Sequence, residues 1–200
     1  MIRWLEHIDK SAFSFVQQHF GGNAMDAFML LLRNPLVWIP FYIFMFVWAL
    51  RKGKKTGLIF VCLSLVCFAI TDYSAAHIFK PLFARLRPCY DPDTSAMVRG
   101  LVGCGGKWGF PSNHAANHFG LAAFWYRGIY LLTKQQWRWL FVWAFLISFA
   151  QVYVGVHFPL DIAAGALLGL ITGFSLARLF EIRVKRVYLK TLNQSSLSLP

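Results

Sequence analysis

Polar and apolar positions of this 200-residue chain fall into blocks rather than fine alternation. Apolar runs occupy residues 36–50, 57–78, 114–132, 137–154 and 159–180, and charged or Pro/Gly-rich stretches separate them. Runs of this kind predict membrane-spanning helices. The first run has fifteen residues, short of the ~20 needed to cross a bilayer, so part of 24–34 is expected to extend it. Residues 1–20 differ. Trp4, Leu5, Ile8, Phe13, Phe15, Val16 and Phe20 are interleaved with charged and amide residues, the pattern of an amphipathic helix lying on the membrane surface. Gly21-Gly22-Asn23 ends it. The last twenty residues are basic and then Ser-rich, and predict a tail that frays. The expected organisation is an interfacial helix (1–23), a transmembrane unit (24–180) and a basic cytoplasmic tail (181–200). The fold class is all-α, an integral-membrane bundle of five or six spans.

Composition agrees. The chain is 58% apolar and 14% charged, against roughly 45–50% and about 25% in soluble domains. The first residues show no cleavable signal, so insertion is expected to use the first span. The net charge of +12 does not point to nucleic acid, because the cations sit beside apolar runs. They report topology and anionic headgroups instead. Arg51, Lys52, Lys54, Lys55, Arg127, Lys134, Arg138, Arg178, Arg183, Lys185, Arg186 and Lys190 would all lie on one side of a five-span bundle. The positive-inside rule makes that side cytoplasmic. The loop 80–113 and the corner 155–158 then face the other compartment. Cys62 and Cys67 lie inside a span, whereas Cys89 and Cys104 flank the outer loop, where a disulfide between them is expected.

Three polar constellations fall on that outer side. Lys80 and Arg87 are seven residues apart, so a helix continuing from the second span would put them on one face, with Pro88 ending it. Two such cations can clamp a phosphate; Arg85 fits better as an arginine snorkelling to the interface. Phe110-Pro111-Ser112-Asn113-His114 joins a Gly-rich loop to the third span. Ser112 suits an N-cap, and the free N–H groups of a first helical turn form an anion site. His118, one turn beyond His114, fits a buried, hydrogen-bonded side chain. In His157-Phe158-Pro159-Leu160-Asp161, Pro159 suits the first turn of a helix. A carboxylate at Asp161 can then reach back to fix the imidazole of His157. Together these groups supply positive charge for a phosphoryl group (Lys80, Arg87, Ser112), a nucleophile (His157 with Asp161) and a general acid (His114). The scheme requires no metal and no cofactor.

At these residues the chain resembles the type 2 phosphatidic acid phosphatase family, whose site is shared with vanadium-dependent haloperoxidases. The family's K-x6-R-P reads Lys80 to Arg87-Pro88. Its P-S-G-H reads Pro111-Ser112-Asn113-His114, and its S-R-x5-H-x3-D reads Ala150-Gln151 to His157 and Asp161. The resemblance implies metal-independent hydrolysis through a phosphohistidine on His157. It implies His114 as acid, and Lys80, Arg87 and Ser112 as phosphate ligands, with Asn113 and Gln151 at the two departing positions. Implied substrates are undecaprenyl diphosphate, phosphatidylglycerophosphate, phosphatidic acid or lipid A, with a leaning to the first and a site at the periplasmic boundary. Gln151 is the serious departure, because a neutral amide cannot replace a guanidinium on phosphate. Arg85, Arg99 and Lys107 are the candidates to compensate. Gln151 also motivates an alternative, a lipid-phosphate-binding protein without turnover. A haloperoxidase is a more remote option.

Overall fold

The computed structural model describes residues 3–196, with side chains described to residue 188. Eight α-helices follow one another: α1 (Arg3–His19), α2 (Asn23–Arg33), α3 (Pro35–Lys52), α4 (Lys54–Tyr73), α5 (Lys80–Phe83), α6 (Asn113–Thr133), α7 (Trp139–Tyr153) and α8 (Pro159–Ser196). A π-helical stretch, Ser74–Phe79, joins α4 to α5 without a break. The all-α bundle is as expected. Pro35–Lys52, Lys54–Phe83 and Pro159–Tyr188 are each long and apolar enough to cross a bilayer. The apolar α7 is shorter, and α6 is enclosed between its neighbours.

The first span is self-contained, which corrects the expectation that 24–34 extends it. Asn34 precedes Pro35 and is therefore held extended, with φ −75° and ψ 115°. Its side chain caps the new helix by accepting from the Leu36 N–H at 3.0 Å. So α2 ends at Arg33 and packs on α7 rather than lengthening α3.

At the far end of the bundle, α8 does not stop at Phe180 but runs on to Ser196. Residues 197–200 of the expected frayed tail lie outside the described residues.

The centre of the fold is the seam between α6 and α8. A Cβ on Gly165, Gly169 or Gly173 would come within 2.5, 2.4 or 2.2 Å of the carbonyl oxygens of Ser112, Ala116 and Gly120. Only glycine lets α8 lie this close on the α6 backbone, the small-residue packing of membrane helices. Around the seam Phe60, Phe124, Trp125, Ile129 and Phe180 are fully buried. A second cluster forms where α1 and α2 meet α7: Phe13, Met29, Leu32, Tyr153 and Phe158. Thus α1, expected to lie flat on the bilayer, is seated on the bundle by one face, while Trp4, Ile8 and Phe15 stay exposed.

Candidate active site

The three constellations meet at the end of the bundle where α5, α7 and the N-termini of α6 and α8 converge. After α7 the chain reverses through Gly155, whose φ is 83°, a left-handed conformation that favours glycine. The carbonyl of Gln151 accepts from the N–H groups of Val156 (3.1 Å) and His157 (3.3 Å). This turn delivers His157 to the start of α8, where its side chain is almost wholly buried.

Asp161, in the first turn of α8, does reach back. Its Oδ2 lies 3.3 Å from His157 Nδ1 and accepts from the Phe158 N–H at 2.9 Å. Its Oδ1 accepts from Arg85 at 2.7 Å. A carboxylate held from three sides fixes one ring nitrogen of His157 and leaves Nε2 for chemistry. Burial lowers the pKa of His157; Asp161 opposes the shift, and Arg87 and Lys80 reinforce it.

Arg85 is not a snorkelling side chain. It bridges Asp161 to Asp9 of α1, and its guanidinium lies 4.4 Å from the centre of the Phe158 ring. The other oxygen of Asp9 accepts from the Leu160 N–H at 2.8 Å. Asp9, Arg85 and Asp161 therefore form one chain behind His157. The sequence held one signal for it. Asp9 falls on the stripe of α1 that carries Leu5 and Phe13, a carboxylate among apolar positions.

Lys80 and Arg87 arrive by different routes. The helix that carries Lys80 closes at Ala84, which is left-handed (φ 46°) and donates its N–H to the Lys80 carbonyl. Arg87 lies beyond it, on an extended segment whose Leu86 pairs with Trp108. The shared helix face expected from their spacing does not exist, and Ala84 rather than Pro88 stops the helix. The Arg87 guanidinium is held by backbone carbonyls, those of Trp108 at 3.3 Å and Val156 at 3.5 Å. The loop between is closed by a Cys89–Cys104 disulfide.

Ser112 caps α6, accepting from the Ala115 N–H at 3.4 Å, and its own N–H bonds to the Asp161 carbonyl at 2.9 Å. Asn113 accepts from Lys80 and donates to the Asp72 carboxylate at 2.9 Å, so it ties the lysine to α4. The imidazole of His114 lies within electrostatic range of His157, Lys80 and Arg33. His118 lies one turn deeper, half-buried, bonded to Tyr42 and to the His114 carbonyl. Gln151 does not join the other side chains. It bonds only to the Ile147 carbonyl within α7, and its Oε1 is buried with no partner.

The compensating cations expected from the sequence are engaged elsewhere. Arg85 holds two carboxylates, Arg99 pairs with Asp26 and stacks on Tyr153, and Lys107 is exposed over Trp108. Among the described residues no three His, Cys, Asp or Glu side chains form a metal-ligand group. A cavity of about 470 Å³ opens beside His114 and Asn113 and descends between α3, α4 and α6 to Phe46, Leu121 and Trp125.

Residues 57–185 match the PAP2 superfamily, and these residues carry all three constellations. The chain belongs to the PAP2 superfamily. Among its relatives, a lipid A 4'-phosphatase of Bacteroides thetaiotaomicron is 33% identical over 177 residues, covering 84% of this chain and 75% of that protein. An undecaprenyl-diphosphatase of Sulfolobus acidocaldarius is 28% identical over 149 residues, covering 74% and 65%. The crystal structure of Aquifex aeolicus LpxE superposes with a TM-score of 0.62 at 25% identity, over 86% of this chain and 95% of the other. A PAP2 protein with such relatives is a phosphoric ester hydrolase and an integral membrane protein.

Proposed function

We propose that the protein removes phosphate from a phosphorylated membrane lipid through a phosphohistidine on His157. One observation carries this reading: a buried imidazole, held at Nδ1 by Asp161, lies among Lys80, Arg87, His114 and the capped mouth of α6. Nε2 of His157 attacks phosphorus, the phosphorus–oxygen bond to the lipid breaks, and His114 gives its proton to the leaving oxygen. Water then attacks the phosphohistidine, His114 takes a proton from it, and inorganic phosphate leaves with the N–P bond broken. Lys80, Arg87 and the N–H groups of the first turn of α6 stabilise the charge on the non-bridging oxygens. The apolar cavity beneath His114 suits a lipid chain whose headgroup lies at the site.

The substrates to test first are a lipid A 4'-phosphate and undecaprenyl diphosphate, the classes named by its relatives. The positive-inside rule, applied to the basic loops, supports a site on the extracytoplasmic side of the inner membrane. A binder without turnover, motivated by Gln151, draws no support from relatives that are phosphatases.

Purified protein in detergent should release inorganic phosphate from such lipids with EDTA present. His157→Ala should lower the rate by about 10³-fold or more, as for loss of a covalent nucleophile. Release that needs an added divalent metal, or that survives the substitution, would overturn the mechanism.

A further inference from the structure

Arg33 is the last residue of α2, left at the bundle end when Asn34-Pro35 breaks the helix. Its side chain lines the cavity with Asn113 and His114, and its guanidinium is within electrostatic range of both His114 and Arg87. Its Nε is buried and has no hydrogen-bond partner. Among the described residues no carboxylate lies within salt-bridge distance of it. Asp72, an acidic group on the same wall, accepts from the amides of Asn113 and Asn117 through one oxygen, Oδ1, and makes no salt bridge to Arg33. Burial lowers the Arg33 pKa, yet a guanidinium stays charged at neutral pH.

A half-buried arginine whose Nε lacks a partner, within electrostatic range of a second arginine, is favoured by a bound counter-charge. The other arginines on this side show the contrast: Arg85 and Arg99 each meet carboxylates. Arg33 and Arg87 make no salt bridge among the described residues; Asp161 lies within electrostatic range of Arg87, and Arg33 lies within range of both Arg87 and His114. We propose that Arg33 is an anion-binding residue of this site and holds non-bridging oxygens of the substrate's phosphoryl group together with Arg87. It supplies the cation that Gln151 lacks, from a helix outside the stretch 57–185 that matches the superfamily. The inference rests on the phosphoryl-transfer reading above.

The test uses the full chain in detergent and inorganic phosphate as the probe. Phenylglyoxal should label Arg33 in the wild-type protein, and phosphate should protect it, read by peptide mass spectrometry. Phosphate affinity should fall about 10-fold or more in Arg33→Gln, with partial recovery in Arg33→Lys, the size expected for one charge-assisted hydrogen bond. Labelling of Arg33 that phosphate leaves unchanged would overturn the inference, and this measurement needs no variant to fold. So would equal phosphate affinity in wild type and Arg33→Gln. The two proposals separate cleanly. Wild-type lipid hydrolysis that is undiminished in Arg33→Gln removes Arg33 and leaves the enzyme reading. Arg33-dependent phosphate binding in a protein that hydrolyses no lipid phosphate leaves an anion site and removes the enzyme reading.

Discussion

The seam between α6 and α8 and the wall formed by α3 are built from similarly apolar sequence and face their neighbours differently. At the seam, glycines of α8 rest directly on α6 carbonyls, and the Ser112–Asp161 backbone bond continues that contact into the site. Along α3, Leu36, Ile43, Phe44 and Val47 face outward, and the inward side makes contact through rings, with Phe41 and Tyr42 against Trp125 and Trp143. In lipid there is no hydrophobic drive between helices, so close backbone approach and dispersion hold them together. The seam uses that approach to keep the helix mouth and the Asp161-held imidazole in one rigid piece. The α3 wall uses it at the turn into α4, where a Cβ on Gly57 would meet the Ala49 carbonyl oxygen at 2.3 Å, and beyond that turn borders the cavity beside His114. The proposed phosphoryl site is therefore set on close backbone packing, and the cavity beside it is bordered by ring contacts.

The largest expected effect comes from breaking the seam. Gly169→Val places a Cβ 2.4 Å from the Ala116 carbonyl oxygen and 2.7 Å from the Gly120 nitrogen, both inside contact distance. Neither backbone atom can yield without separating the helices. A loss of several kcal/mol is expected, read as a marked drop in the melting temperature in detergent. Ile43→Ala on the exposed face of α3 should move it little. Equal sensitivity at the two positions would erase the distinction between seam and wall.

A smaller effect is expected behind the nucleophile. Asp9→Asn removes one of the two carboxylates that hold Arg85, and so loosens Asp161. It should lower kcat by about 10- to 100-fold with little change in KM, because orientation rather than binding is lost. An unchanged kcat would make α1 only a structural prop.

The smallest effect is on pH dependence. The pKa of His157 is lowered by burial, so its neutral, nucleophilic form persists as pH falls through the ordinary imidazole value of about 6.5. The acid limb of kcat/KM should lie below that value. It should stay there when the substrate's own phosphate pKa is changed. A limb at or above 6.5 would mean that Asp161, not burial, governs the ring.

What the sequence by itself determined is much of what short-range physics controls, though it missed the helix break at Asn34-Pro35. Apolar block length announced the spans. Ser112 marked the mouth of α6, and the four-residue spacing of His157 and Asp161 across Pro159 marked a ring held by a carboxylate, because both ends of that contact lie within one turn. Tertiary structure decided the rest. Arg85 meets Asp161 and Asp9 each across 76 residues, and Asp9 meets Leu160 across 151; no local pattern encodes such pairings. The separation of Lys80 from Arg87 turned on whether a helix ran past Ala84, and Arg33 became notable only when the fold left it beside the cavity, within electrostatic range of Arg87 and with no salt bridge. Cation count is visible in a string of residues, but whether a cation is already neutralised depends on which distant groups the packing brings to it.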